Sequence, residues 1–268
     1  MSKPSDLERR PQEKLKSMIW QLHKTERRQI LIDIDTQRDF LLGSGRASIM
    51  NHNQVLANVR RMMAWARHGG IRIISTCTVQ RNHNGYSALD YCIDGTAGQK
   101  KIRYTILSNR ASFAADTNTD LPVDVLLANR QVIFHKRCTD PFEEPRIDRV
   151  LSELEADEFI LMGTTAEGAV KATALGLLRR GKRVSVVVDA VGWYNKRAAK
   201  TAFRIMKTMG ARLTKTEMLA GTSHLSGIRI CNCARGQLQG SEQNIIIRHG
   251  FSFYSKQLER LGGKRKPP

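Results

Sequence analysis

Residues 159–188 read FILMGTTAEGAVKATALGLLRRGKRVSVVV, and this stretch decides the predicted fold. The apolar run 159–162 predicts a buried strand, residues 168–180 predict a helix that ends at Gly181, and the β-branched run 184–188 predicts another strand. A strand, a helix and a strand in this order form a parallel unit, because the helix returns the chain to the starting edge of the sheet. The stretch therefore indicates a protein of the α/β class.

The same alternation extends in both directions along the chain. Short apolar runs predict further strands at 30–34, 71–76, 132–134 and 212–214. Apolar residues at helical spacing predict helices over 51–68, 146–156 and 196–209. The sequence thus predicts a three-layer α/β/α sandwich with a mainly parallel sheet of five or six strands. Residues 77–121 are predicted to form a long polar loop.

Changes in this pattern predict three parts of the chain. An N-terminal helical extension is expected over 1–28, an α/β domain over 29–220, and a basic C-terminal extension over 221–268. No run approaches the roughly 18 apolar residues that a membrane span needs, and the first residues lack the apolar core of a signal peptide. We therefore expect a cytoplasmic protein that has no membrane partner.

The chain is strongly basic, with 44 Lys and Arg against 25 Asp and Glu and a formal charge of +19. Such a charge predicts nonspecific attraction to polyanions at low salt. The basic residues are spread along the chain without interleaved aromatic residues, and no helix-turn-helix, RNA-recognition or zinc-finger signature is present. A role linked to nucleic acid is left as an open alternative.

The five cysteines do not predict a disulfide framework, because their number is odd and no secretion signal is present. Cys231 and Cys233 form a close pair that has no second pair and no histidine cluster nearby. A zinc site usually needs four ligands, so reduced thiols are the favoured interpretation. No metal and no cofactor are predicted.

Candidate chemistry lies where the parallel strands end, because ligands of such sheets bind at the carboxyl ends of the strands. Asp35 follows the first predicted strand and Lys136 follows the third. The helix that begins near Gly168 offers free N–H groups and the positive end of a helix dipole. A carboxylate in this place can move protons. From the residues alone, a catalytic Asp35 and a structural ion pair of Asp35 with Lys136 are equally good interpretations.

Several segments, in the expected order, resemble the isochorismatase-like hydrolases. The segment 34–40 ends in Asp-Thr-Gln-Arg-Asp-Phe and is similar to the opening Asp-x-Gln-x-Asp-Phe motif of that family. The other similar segments are the Cys-x-x-Gly-Thr-x-Gly loop at 92–98, Lys136 with the downstream Phe142, the nucleophile turn and helix at 163–174, and the closing segments 189–190 and 214–219. The resemblance runs from about residue 29 to 220.

In the cysteine-dependent members, the resemblance implies a triad of Asp35 as base, Lys136 as its electrostatic partner and a cysteine nucleophile at position 169. Position 169 is alanine here, so thioester chemistry is excluded. Retained Asp35 and Lys136 with Ala169 look more like the family's isochorismatases, which lack the cysteine and hydrolyse a vinyl ether. The implied function is hydrolysis of a small metabolite, with the basic chain suited to an anionic one. The alternative is an inactive family member that serves as a binding or scaffold protein.

The resemblance also implies substrate contacts, which fall at Gln80, Thr164, Thr165, Glu167 and Gly168. The bond between Thr164 and Thr165 matches a non-proline cis peptide that the family often has. Homo-oligomers are common in the family and are expected here.

The metal ligands of the nicotinamidases fall at Thr78, Gln80 and Tyr91, which give no histidine and aspartate cluster. Three further residues have open alternatives. Cys138 is either a substitute thiol or a buried bystander. Trp193 and Tyr194 lie either in the pocket or in an oligomer contact.

Overall fold

The computed structural model describes residues 28–81, 90–116 and 118–221. The chain divides into two units, Met1–Gly221 and Thr222–Pro268, and the described residues belong to the first. Apart from Arg28 and Gly221, the predicted N-terminal and C-terminal extensions lie outside the described residues. Within the described part of the chain, no helix combines the length and the apolar character that a bilayer span requires.

The described residues form one parallel sheet of seven strands in the order β3-β4-β2-β1-β5-β6-β7. The strands are β1 (Gln29–Ile34), β2 (Arg72–Thr78), β3 (Arg110–Phe113), β4 (Gln131–Lys136), β5 (Glu158–Gly163), β6 (Val184–Val191) and β7 (Arg212–Thr214). The predicted α/β class and the parallel sheet are confirmed.

The sheet has one strand more than the largest number predicted. Strand β3 lies inside the stretch 77–121, for which a long loop was expected. It pairs only with β4 at the edge of the sheet, and two of its four residues, Arg110 and Ser112, are exposed. An edge strand with little buried surface has no need for the apolar run that marks the central strands.

Helices cover both faces of the sheet. They are α1 (Arg38–Leu41), α2 (His52–His68), α3 (Val125–Ala128), α4 (Pro145–Glu153), α5 (Ala169–Arg179), α6 (Lys196–Thr208) and α7 (Thr216–Ala220). Short 3₁₀ helices occur at Arg103–Thr105 and Pro141–Glu143.

Each face of the sheet has its own apolar core. The central strand β1 contributes Ile30, Ile32 and Ile34 to the core under α4, α5 and α6, and Leu31 to the core under α2. A strand that is buried on both faces is expected to be apolar throughout, as β1 nearly is. Helix α2 supplies the second core with Val55, Val59, Met62 and Met63.

The end of β5 is held very close to the end of β1. Gly163 has a φ of 120°, and a Cβ atom at this position would lie 1.9 Å from the carbonyl oxygen of Ile34. Only glycine fits both the dihedral angle and the space. The turn that leads into α5 therefore starts directly beside Asp35.

Candidate active site

Hydrogen bonds of its backbone N–H and carbonyl groups fix Asp35 at the carboxyl end of β1. Its φ is 47°, in the left-handed region that aspartate tolerates better than most residues. Its N–H donates to the carbonyl oxygen of Thr76 at 3.2 Å, and Oγ1 of Thr164 donates to its carbonyl oxygen at 2.9 Å. The backbone of Asp35 is thus held from β2 on one side and from the residue that follows β5 on the other.

The carboxylate of Asp35 is buried, and both of its oxygens accept hydrogen bonds. Thr76 Oγ1 donates to Oδ1 at 2.7 Å. Thr78 Oγ1 donates to Oδ2 at 3.0 Å, and Lys136 Nζ lies 2.8 Å from the same oxygen. The fold therefore brings Asp35 and Lys136, which are 101 residues apart in sequence, into direct contact.

The ammonium group of Lys136 is completely buried, with a side-chain exposure of 0%. Besides Asp35, it donates to Thr78 Oγ1 at 3.0 Å and to the carbonyl oxygen of Cys138 at 3.0 Å. A lysine has three N–H donors, and these three acceptors use them all. The ammonium is thus held in one position beside the carboxylate.

A cavity of about 160 Å³ opens at this pair. Of the eight residues predicted to be catalytic or to contact the substrate, seven line it: Asp35, Gln80, Lys136, Thr164, Thr165, Gly168 and Ala169. Its wall also contains Phe40, Thr78, Tyr91, Arg137, Cys138, Thr139 and Tyr194. Sequence reasoning missed Arg137 and Thr139 as wall residues, although they lie one and three residues past Lys136.

Helix α5 begins at this cavity with Ala169 as its first residue. The N–H groups of Gly168 and Val170 both donate to the carbonyl oxygen of Thr165 at 3.1 Å, and the bond between Thr164 and Thr165 is cis. The N–H of Ala169 makes no hydrogen bond within the described residues. An open N–H in the first turn of a helix can bind an oxygen atom that carries negative charge.

Glu167 has a different place from the one expected. It is not among the described residues that line the cavity. Its Oε1 accepts from the backbone N–H groups of Tyr194 at 2.8 Å and Asn195 at 3.0 Å, and its buried Oε2 has no hydrogen-bond partner within the described residues. Because Tyr194 lines the cavity, Glu167 contacts the loop that carries this wall.

Cys138 lies in the cavity wall, but its surroundings disfavour a thiolate. Its Sγ donates to the carbonyl oxygen of Asp140 at 3.1 Å, and burial raises the pKa of the thiol. Burial raises the pKa of Cys77 to about 12 and also raises that of Cys92. The thiolate is the nucleophilic form, so none of these thiols has the setting of an activated nucleophile.

The described part of the chain contains no ready set of metal ligands. No group of three or more His, Cys, Asp or Glu side chains there could hold an ion. Thr78, Gln80 and Tyr91, at the positions matched to the nicotinamidase ligands, all lie in the wall of the cavity. Hydroxyl and amide groups of this kind are suited to hydrogen bonds with a substrate.

A second buried ion pair links β1 to the stretch between β2 and β3. Lys101 Nζ is 2.9 Å from Oδ2 of Asp33, and their side-chain exposures are 3% and 0%. The hydroxyls of Ser75 and Thr36 also donate to Asp33, at 2.9 and 2.7 Å. Sequence reasoning missed this pair, although an aspartate inside the apolar run 30–34 was a signal that a buried partner must exist.

Comparison with known proteins places this architecture in a family. A sequence model of the isochorismatase domain matches residues 29–218. No curated protein matches the chain significantly in sequence.

Solved structures share the fold. The pyrazinamidase of Pyrococcus horikoshii in complex with zinc is 23% identical, with 70% of this chain and 99% of that chain covered and a TM-score of 0.54. The MAR1 ribonuclease from Caenorhabditis elegans is 24% identical, with 72% and 79% covered and a TM-score of 0.50. An isochorismatase family protein from Desulfovibrio vulgaris is 18% identical, with 72% and 97% covered and a TM-score of 0.57. Since the matched domain spans residues 29–218, well over half of the sequence, the chain belongs to the isochorismatase-like hydrolase family.

Proposed function

We propose that the protein hydrolyses a small metabolite without a cysteine nucleophile. The observation that carries this proposal is the 2.8 Å contact between Lys136 Nζ and Asp35 Oδ2 in the wall of a cavity whose nucleophile position is Ala169. A methyl group cannot attack a carbonyl carbon. Water therefore supplies the oxygen atom that hydrolysis adds, and the chain supplies proton transfer and charge stabilisation.

Asp35 is the group that exchanges a proton with the substrate or with water. Its carboxylate is oriented by Thr76, Thr78 and Lys136, so it needs no rearrangement before a proton moves. Lys136 stabilises the carboxylate when the proton has left. The N–H of Ala169 is placed to stabilise negative charge that develops on a substrate oxygen.

The size and charge of the cavity define the class of substrate. A volume of about 160 Å³ holds only a small molecule or the reacting part of a larger one. Asp35 is neutralised by Lys136, and Arg137 adds a further cation to the wall. Arg137 is exposed, forms no hydrogen bond or ion pair within the described residues and acts electrostatically on Glu144. We infer that Arg137 anchors an anionic group of the substrate.

Replacing Arg137 with glutamine is expected to raise KM for an anionic substrate by about 10- to 100-fold, because a charge-assisted hydrogen bond contributes roughly 1.5–3 kcal/mol. The value of kcat should change little, since the hydrogen bonds that orient the carboxylate of Asp35 come from other residues. Steady-state kinetics test this expectation. Arg103→Gln, which removes an exposed cation outside this cavity, is the matched control. An equal rise in KM in both variants would show a general charge effect instead.

The proposal is tested by a turnover screen of the purified chain, with Asp35→Asn as the control. The panel contains isochorismate, other vinyl ethers, and small amides and esters. Turnover of a vinyl ether that is lost in the variant supports the proposal. Turnover that survives the substitution contradicts the role of Asp35.

Ala169 also favours a second candidate function, which is binding of a small ligand without turnover. In that case the same cavity takes up a ligand that the protein releases unchanged. A shift of the melting temperature by a compound of the panel, without any product, supports this candidate. Any turnover that depends on Asp35 excludes it.

The substitution Ala169→Cys tests the electrostatics of the cavity without a substrate. The new thiol would sit at the first position of α5 and in the same cavity as Lys136, where helix dipole and ammonium stabilise a thiolate. We expect iodoacetamide to modify position 169 at pH 7 at least about ten times faster than Cys138. Peptide mass mapping of a time course gives both rates in one sample. A rate at position 169 no greater than that of Cys138 would show that the cavity does not activate a nucleophile.

A further inference from the structure

Helix α6 carries an unusual set of charges. Its sequence, KRAAKTAFRIMKT over Lys196–Thr208, contains five cations and no acid. Its buried face consists of Ala199, Ala202 and Met206, which pack in the apolar core. The cations are all on the exposed part of the helix. They are therefore not needed for packing.

Four of these cations form a continuous line, which we call the α6 basic stripe: Lys196, Lys200, Arg204 and Lys207. Their spacing of four, four and three residues keeps them on one side of the helix. Successive members lie about 4.5–6 Å apart along the helix axis, and the whole stripe is about 16 Å long. The sequence on both sides adds no negative charge, because no acid occurs between Asp189 and Glu217.

The α6 basic stripe works against the stability of its own helix. Like charges at i,i+4 repel each other, as in the pairs Lys196–Lys200 and Lys200–Arg204. Lys196, in the first turn, also opposes the helix dipole, and α6 has no acid there, whereas Lys207 in the last turn complements the dipole. None of the four side chains forms a hydrogen bond or an ion pair within residues 28–81, 90–116 and 118–221. When charges in a helix repel each other and no contact compensates for this cost, the charged residues are expected to have a function.

We propose that the α6 basic stripe binds the phosphate backbone of nucleic acid without reading its sequence. A line of evenly spaced cations complements a line of phosphates, and release of condensed counterions drives such binding. A positive charge is the property that all four members share, and phosphate groups are the part of nucleic acid that charge alone recognises. An anionic membrane fits less well, because a helix that binds a bilayer must insert a broad apolar face. In α6, Ala199, Ala202 and Met206 are buried in the core, and Ile205 is the one large apolar side chain of the helix that is exposed.

The structure offers a matched control surface. A second concave basic region of about 460 Å³ includes the exposed Arg38, Lys100 and Arg103. Neutralising these three residues removes the same charge as neutralising three residues of the stripe. The comparison separates binding by the stripe from attraction by the net charge of +19. Neither set includes a residue of the cavity at Asp35, so the test is independent of the proposed hydrolysis.

The experiment measures fluorescence anisotropy of a labelled 20-base-pair DNA duplex with the full chain between 0.05 and 0.2 M salt. The triple variant Lys200→Gln, Arg204→Gln, Lys207→Gln is expected to weaken binding about tenfold or more at 0.1 M salt and to lower the slope of log K against log salt by about 2–3. The control variant Arg38→Gln, Lys100→Gln, Arg103→Gln should change both quantities by less than half as much.

Three results would overturn the proposal. The first is no binding by the unmodified chain at 0.05 M salt, and the second is an equal loss in both triple variants. The third is binding to vesicles of phosphatidylserine and phosphatidylcholine, lost in the stripe variant, without binding to the duplex. Removing like charges should leave the melting temperature unchanged or higher. If the triple variant does not fold, Lys200→Gln alone should still lower the slope by about 0.9.

Discussion

Asp35→Asn is expected to lower kcat by about 100- to 10,000-fold on any substrate that the chain turns over, which is the range for loss of a general acid or base. Asparagine has the same shape, and its oxygen can still accept from Thr76 as the carboxylate does. It carries no exchangeable acid proton, and its amide cannot act as a base. Single-turnover measurements at several pH values separate this loss from slower release of product.

Asp33→Asn is the matched control for this substitution. Asp33 is also buried, lies on β1 two residues away and contacts a buried lysine, but it does not line the cavity. We expect it to lower stability and to leave kcat of the folded protein within about a few-fold of the original. If both variants lose turnover equally while both remain folded, loss of a buried charge pair explains the effect, and the role of Asp35 is wrong.

Lys101→Met should lower the free energy of unfolding by about 3–5 kcal/mol, because it leaves the carboxylate of Asp33 buried without a counter-charge. Asp33 would keep its contacts with the hydroxyls of Ser75 and Thr36, which do not neutralise it. The linear methionine side chain preserves most of the packing volume. Denaturation in urea, followed by circular dichroism, measures the loss as a lower midpoint with an unchanged m-value.

The double variant Lys101→Met, Asp33→Asn separates the charge effect from loss of packing. An uncharged amide keeps an acceptor for Thr36 and needs no counter-charge. We expect the double variant to recover at least about half of the lost stability, since removing both charges of a buried pair costs less than removing one. A loss of less than about 1 kcal/mol in the single variant would contradict the expected cost of removing Lys101 from this buried pair.

The sheet was largely predictable because strands that are buried on both faces appear as apolar runs in the sequence. The runs at 30–34 and 184–188 are almost entirely apolar, and both lie in central strands. Strand β3 has no such apolar run, because an edge strand with exposed Arg110 and Ser112 buries too little surface. Apolar patterning reports burial, so it detects strands only where burial is high.

The cavity was predictable to the extent that strand order determines position. Asp35 and Lys136 were selected because parallel strands end at one edge, and the structure has them in contact. Contacts made by loops were harder to foresee. Lys101 reaches Asp33 from the stretch between β2 and β3, and Arg137 lies one residue past a strand. No periodic pattern links a loop residue to the strand that it contacts.

The close approach at Gly163 fixes the backbone near Asp35, whereas the side chains around the opening of the cavity are free to differ. Because any side chain at this position would collide with the carbonyl oxygen of Ile34, the distance between Asp35 and the start of α5 is fixed by the backbone. Exchange of side chains is therefore not expected to change this distance to suit a new substrate. Gln80, Arg137 and Tyr194 lie in the wall of the cavity, and each is at least partly exposed. Adaptation to new substrates is therefore expected to proceed by exchange of side chains around the opening, while the chemistry beneath stays the same.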